Sequence, residues 1–211
     1  MYLPNHFKEE RPDVIRSLIT DHPLGALVTL GPGGIEGNHM PFLYDPDPAP
    51  LGTLRCHVAR ANPVWREFRP EVEALVMFQG PQLYVTPSWY PAKKEHGKVV
   101  PTWNYLVVHA YGPVRVMDDG EWLRRFVTRL TDRFEAERKN PWKVTDAPPD
   151  FVDSHLKAIV GIEIPVTRIM GKWKTSQNRP GADRENIARE LRARGDAPAS
   201  KMADWVDKIK K

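Results

Sequence analysis

Cysteine is nearly absent. Cys56 stands alone among 211 residues, so no disulfide can form within the chain. The start, Met1-Tyr2-Leu3-Pro4-Asn5-His6-Phe7, lacks the basic residues and apolar run of a signal peptide. No stretch approaches the roughly 20 apolar residues of a membrane span. These absences lead to the expectation of a cytoplasmic location without membrane contact. Metal-ligand spacing is missing too. The seven histidines (His6, His22, His39, His57, His96, His109, His155) show no i,i+4 pair and no Cys-x-x-Cys companion, and no metal site is expected. There is no Gly-x-Gly-x-x-Gly, no P-loop and no serine in a nucleophile elbow. A nucleotide cofactor, if bound, is not held by a Rossmann fingerprint. Charge gives little direction: 31 Lys+Arg against 27 Asp+Glu leave a net +4, too small to select among phosphate, nucleic acid and acidic lipid.

Proline is plentiful. Twenty-one prolines imply many short elements joined by rigid turns. The spacing predicts a helix over 6–19, a strand at 26–30, a turn at 31–34 and a partner strand over 35–44, with Pro41 signalling an edge or bulge. A proline-rich loop follows over 45–52. Thr53–Ala59 alternates, with Leu54, Cys56 and Val58 on one face and Arg55 and His57 on the other. Asn62-Pro63 opens a short helix. Strands are predicted at 74–78 and 83–86, joined by Gln79-Gly80-Pro81, and at 107–117. An amphipathic helix over 118–138, with Asp118 and Glu121 at capping-box spacing, interrupts the strand pattern. A shorter helix over 151–158, a closing strand over 160–170 and helices over 183–194 and 199–210 complete the chain. Short strands with frequent turn signals predict a barrel or sandwich. No repeat or low-complexity linker divides it. We therefore expect a mainly β, α+β domain over 1–180 with inserted helices, and a C-terminal helical extension over 181–211.

Several segments combine polar groups with aromatics or prolines, the mixture a phosphorylated planar cofactor requires. They contain His39, Met40 and Pro41; His57, Arg60 and Asn62; Trp89; Thr102, Trp103 and Asn104; and Lys172, Lys174, Ser176, Gln177 and Arg179. Each segment also has an ordinary reading as strand end, core aromatic or solvated loop. The motifs Met1-Tyr2-x-Pro4-x-His6-Phe7, His39-x-Pro41-Phe42, His57-Val58-Ala59-Arg60-Ala61-Asn62-Pro63, Phe78-Gln79-Gly80-Pro81, Pro87-Ser88-Trp89-Tyr90-Pro91, Val100-Pro101-Thr102-Trp103-Asn104-Tyr105 and Lys174-x-Ser176-Gln177-Asn178-Arg179, in this order, resemble the PaiB-type FMN-binding negative transcriptional regulators. The resemblance spans residues 1 to about 180. It implies an antiparallel split β-barrel, a homodimer, and FMN in a cleft between subunits. It also implies Arg60 on the FMN phosphate, His57 as a further donor, Asn62 capping a helix nearby, His39–Pro41 along the ring, and Trp103 and Asn104 reaching in from the partner.

The function so implied is a flavin-binding regulator, with FMN as ligand or redox sensor. Two alternatives stay open: an FMN-dependent oxidoreductase acting on a small molecule, and a haem-binding split barrel. Residues 187–209 loosely resemble a helix-turn-helix, but Asp204 and Asp207 would repel DNA phosphates, and two packed amphipathic helices are the plainer reading. Cys56, opposite His57 on its strand, is expected to be buried and inert, so covalent flavin attachment is not expected.

Overall fold

The computed structural model describes residues 1–47 and 50–208. Positions 48–49 of the expected 45–52 loop, and 209–210 of the expected last helix, lie outside the described residues. The elements run β1 (Lys8–Glu9), α1 (Pro12–Asp21), β2 (Leu24–Gly31), β3 (Gly34–Pro41), β4 (Leu43–Asp45), β5 (Thr53–Ala59), β6 (Ala74–Val85), α2 (Ala92–Glu95), β7 (Thr102–Gly112), β8 (Arg115–Met117), α3 (Gly120–Glu135), α4 (Pro149–Lys157), β9 (Ile159–Pro165), β10 (Arg168–Lys174), α5 (Gly181–Ala193) and α6 (Ala197–Asp207). One sheet has the order β1-β10-β7-β6-β2-β3, the other β4-β5-β9-β8. The architecture is α+β with antiparallel pairing, as expected.

Two compact units emerge, each assembled from separate stretches of chain: residues 1–22, 78–109 and 170–211, and residues 23–77 and 110–169. The described C-terminal helices belong to the first unit, together with most of β7 and β10. There α5 and α6 bury Ile187, Leu191, Met202 and Val206. In the second unit, β5 aligns with β9 from Thr53↔Pro165 to Ala59↔Ile159. Its inner face is Leu54, Cys56 and Val58, and the 0% exposure of Cys56 agrees with the alternation. The opposite face is covered by α3. Trp122 stacks on Phe126 at 5.2 Å, and the Trp122 Nε1–H donates to Glu163 Oε1 at 3.0 Å. Gly161 makes this contact possible, because a Cβ there would lie 2.1 Å from the Trp122 ring.

Several boundaries differ from expectation for clear reasons. The expected first helix begins late, because a 3-10 turn at Asn5–Phe7 and the short β1 precede Pro12. The expected strand over 35–44 divides after Pro41, and the one over 107–117 divides at Pro113. By contrast, 74–78 and 83–86 form a single strand. Burial alternates through Gly80 and then shifts by one position at Pro81, which is the mark of a bulge. A Cβ at Gly80 would fit tightly, 3.1 and 3.3 Å from Leu18 and Leu106. The expected strand over 160–170 splits into β9 and β10, which enter different sheets. Helix α3 is capped by Asp119, whose carboxylate accepts the Trp122 N–H at 2.6 Å, and not by Asp118. The expected helix after Asn62 is a single 3-10 turn, with Asn62 capping as anticipated.

Candidate functional site

In the second unit, Asn62 does two jobs. Its Oδ1 accepts the Val64 N–H at 2.9 Å, and its Nδ2 donates to Asn38 Oδ1 at 2.8 Å. Arg60 is heavily committed. Nε donates to Lys157 O, Nη1 to Asp118 Oδ2, and Nη2 to Asp118 Oδ1 and Ile159 O, so four of its five N–H groups are used. The ion pair holds the Asp118 carboxyl below its ordinary range. His57 faces α3, with the Phe126 ring edge-on at 5.7 Å. Burial pushes its pKa down, and its Nδ1 has no partner among the described residues. The face of β5 that the alternation marked as outward is thus a helix-packing face. On β3, His39 is exposed while Met40 is buried, so alternation places these neighbours on opposite faces.

The nine remaining candidates lie in the first unit, and all but Trp89 and Trp103 form a more connected group. The loop after β10 is fastened to the start of β7 by three contacts. Lys174 Nζ donates to Thr102 Oγ1 at 2.6 Å, Ser176 Oγ–H to Asn104 Oδ1 at 3.0 Å, and Arg179 Nη2 to Val100 O at 3.4 Å. Ser176 adopts φ 68°, a left-handed conformation uncommon outside glycine. Gln177 staples the turn from within, accepting the Thr175 N–H at 2.7 Å and donating to Trp173 O. Asn104 is fully buried and points inward, toward its own chain's Ser176. Trp103 is 52% exposed on the other face of β7, edge-on to Tyr84 at 6.0 Å. Trp89 sits in a 3-10 turn held by α5, where Asn186 Nδ2 donates to Trp89 O at 2.6 Å.

Lys172 is the unusual group. It is 8% exposed, yet among the described residues neither it nor Lys174 pairs with a carboxylate. Its ammonium donates to Tyr2 O at 3.0 Å and lies 5.8 and 5.4 Å from the Tyr2 and Tyr105 rings. The Lys174 ammonium lies 5.9 Å from the same Tyr105 ring. Aromatic faces attract cations but do not neutralise them. A buried lysine normally has a counter-ion, and among the described residues Lys172 has none. Tyr2 and Tyr105 stand in motifs quoted from sequence but were not named there as site residues. Strand alternation from Trp103 does place Tyr105 on the same face, which was the available signal.

A family profile described as "Putative FMN-binding domain" matches residues 1–168. The chain is 34% identical to the Bacillus subtilis "Protease synthase and sporulation protein PAI 2", over all of this chain and 99% of that one. Among solved structures it is similar to the FAD and heme binding protein of Mycobacterium smegmatis (TM-score 0.60, 16% identity, 86% of this chain and 79% of that one). It is also similar to the flavocytochrome Anf3 of Azotobacter vinelandii (TM-score 0.58, 11% identity, 85% and 73%). At these identities the structures speak to the fold alone, which is the split barrel expected from sequence. With the profile covering most of its length and a full-length relative at 34% identity, the chain belongs to the FMN-binding domain family that includes the PaiB-type proteins.

Proposed function

We propose that this chain is a homodimeric, cytoplasmic FMN protein with a regulatory role, its flavin phosphate seated on Lys172 and Lys174. The observation that carries the cofactor reading is the buried Lys172, whose ammonium has no carboxylate partner among the described residues. A phosphate placed there gains charge-assisted hydrogen bonds, and Lys172 gains a counter-ion. The exposed Trp103 and half-buried Tyr105 share a face of β7 and offer flat walls to a planar ring. Asn104, Ser176 and Gln177 then serve as supports that set the loop, rather than as contacts to the ring. Arg60 is not assigned to the phosphate, because binding there would compete with Asp118. When bound, the flavin supplies reversible electron uptake; the protein's own part is to fix the phosphate and present the ring.

The regulatory half follows the name of the Bacillus subtilis relative, which links that protein to protease synthesis and sporulation. Support for the dimer comes from one sheet face. Registers Ala26↔His39, Val28↔Gly37, Leu30↔Ile35, Ala26↔Met77 and Val28↔Leu75 align a largely apolar surface on β2, β3 and β6. Leu24 and Ile35 on that face are 64% and 81% exposed. An apolar sheet face of this kind fits a second copy. Among the described residues no helix is long and apolar enough to cross a membrane.

The test compares FMN with riboflavin, which lacks the phosphate. Lys172→Met and Lys174→Met should each weaken FMN about ten- to a hundredfold and leave riboflavin nearly unchanged, as loss of a charge-assisted contact of about 1.5–3 kcal/mol requires. Equal losses for both ligands would refute the lysine seat. An absorbance spectrum of the purified protein showing a Soret band instead of flavin peaks would favour the haem alternative.

A further inference from the structure

Helices α1 and α6 flank a cleft of about 360 Å³, floored by Trp173, that lies wholly within the first unit. Acidic and basic groups line it from both helices. Helix α1 contributes Asp13 and Asp21, with His22 just after it, and α6 contributes Lys201 and Asp204, with Lys208 just after it. Among the described residues none of Asp13, Asp21, Lys201 and Lys208 forms a salt bridge. Asp204 is already taken by Arg192 at 3.0 Å. The body of the cleft is aromatic: Trp205 stands edge-on to Trp173 at 5.9 Å. Trp173 is buried, and its indole N–H has no acceptor among the described residues.

We propose that this cleft binds a zwitterionic small molecule of amino-acid size. Its ammonium lies toward Asp13 and Asp21, its carboxylate toward Lys201 and Lys208, and its apolar body against the two indoles. The volume is within the range of small-ligand pockets. Unpaired carboxylates from one helix and ammoniums from the other, lining one cleft, match a ligand that carries both charges. A singly charged ligand would leave one set unanswered.

The location gives the site a purpose. On β10, Lys172 and Lys174 share one face, and Trp173 points to the other. A molecule resting on Trp173 therefore presses on the strand that carries the proposed phosphate seat, from behind. The cleft is an effector site placed back to back with the cofactor seat. Its binding chemistry does not depend on the flavin reading.

Circular-dichroism melts of the full chain with each of the twenty amino acids at about 10 mM test this, followed by calorimetry on those that act. At least one amino acid with an apolar or aromatic side chain should raise Tm by about 3 °C or more. The matching amine without the carboxylate, and the matching acid without the ammonium, should bind at least tenfold more weakly. Asp21→Asn and Lys201→Met should each weaken the amino acid about tenfold while leaving the unliganded Tm nearly unchanged. Lys172→Met should retain amino-acid binding, which separates this site from the flavin seat. The proposal is overturned if no amino acid shifts Tm, if the amine or the acid binds as tightly as the zwitterion, or if Asp21→Asn and Lys201→Met both bind unchanged. Loss of binding in Lys172→Met would make the two sites one and would overturn it as well.

Discussion

Arg60 and Asp118 meet in a two-pronged ion pair, with Nη1–Oδ2 at 2.9 Å and Nη2–Oδ1 at 2.6 Å. The guanidinium's other hydrogen bonds go to the carbonyls of Lys157 and Ile159, at the end of α4 and the start of β9. Arg60 thus ties the end of β5 to the segment that precedes α3. Arg60→Ala should lower Tm and leave the ratio of FMN to riboflavin affinity unchanged. Ligand titrations beside a thermal melt check this. A drop in FMN affinity alone would return the phosphate to Arg60.

Gly161→Ala should destabilise the protein by about 1–3 kcal/mol, the usual cost of overpacking. The added methyl would enter the Trp122 ring, and the ring is pinned by stacking on Phe126 and by its bond to Glu163. Denaturant unfolding of the variant gives the value. A change below about 0.5 kcal/mol would mean that α3 shifts freely over the sheet.

Stability should fall as pH drops below about 6.5. Burial depresses the folded-state pKa of His57, and of His22 and His109 with help from Lys201 and from the N-terminus and Lys172 respectively. The folded imidazoles resist protonation, while unfolded ones take a proton near 6.5. The unfolded state then binds more protons, so stability is full above 6.5 and declines as pH falls toward the folded values, below which it levels off. Each tenfold difference in proton affinity is worth about 1.4 kcal/mol. Urea unfolding at pH 8, 6.5 and 5 measures the slope, and His57→Gln should flatten it. An unchanged slope in that variant would remove His57 from the account.

Much of this was legible in sequence, for physical reasons that differ by region. Alternation put Cys56 inside, and Asn62-Pro63 announced its cap. What alternation could not reveal was the partner of each outward face: His57 was read as available, but α3 covers it. The choice between Asp118 and Asp119 as cap turned on Arg60, 58 positions away in the chain from Asp118. Gly80-Pro81 signalled a turn because its local chemistry is that of a turn, but the strand runs on through it with its burial pattern shifted by one position. Within the candidate site, the Lys172–Arg179 segment was visible as composition. Its connection to Thr102 and Asn104 is long-range and became visible only in the fold.

Ile35→Glu together with Leu30→Glu should convert a dimer to a monomer, since both sit in register on the apolar sheet face and neither is needed for the core. Sedimentation equilibrium at micromolar concentration decides it. A wild-type protein already monomeric there would refute the dimer.

The flavin should be released intact by acid precipitation, with the colour in the supernatant. Cys56 is completely buried, and burial pushes its thiol pKa up, which leaves little thiolate to attack a ring. Cys56→Ser should keep its colour when purified. Colour retained in the acid pellet would contradict this.

Ser176 has a consequence for recognising distant relatives. Its backbone conformation favours glycine or asparagine, its burial excludes bulky side chains, and its hydroxyl proton is needed by Asn104. Glycine satisfies the first demand but not the third, alanine the second alone, and threonine carries a branched Cβ into a left-handed turn. The set of acceptable residues at 176 is therefore narrow, and position 104 is bound to it as the acceptor. In an unfamiliar sequence, a serine two places after a strand-ending lysine, with a buried asparagine about 72 positions earlier, would identify this loop even where the surrounding words had drifted beyond recognition.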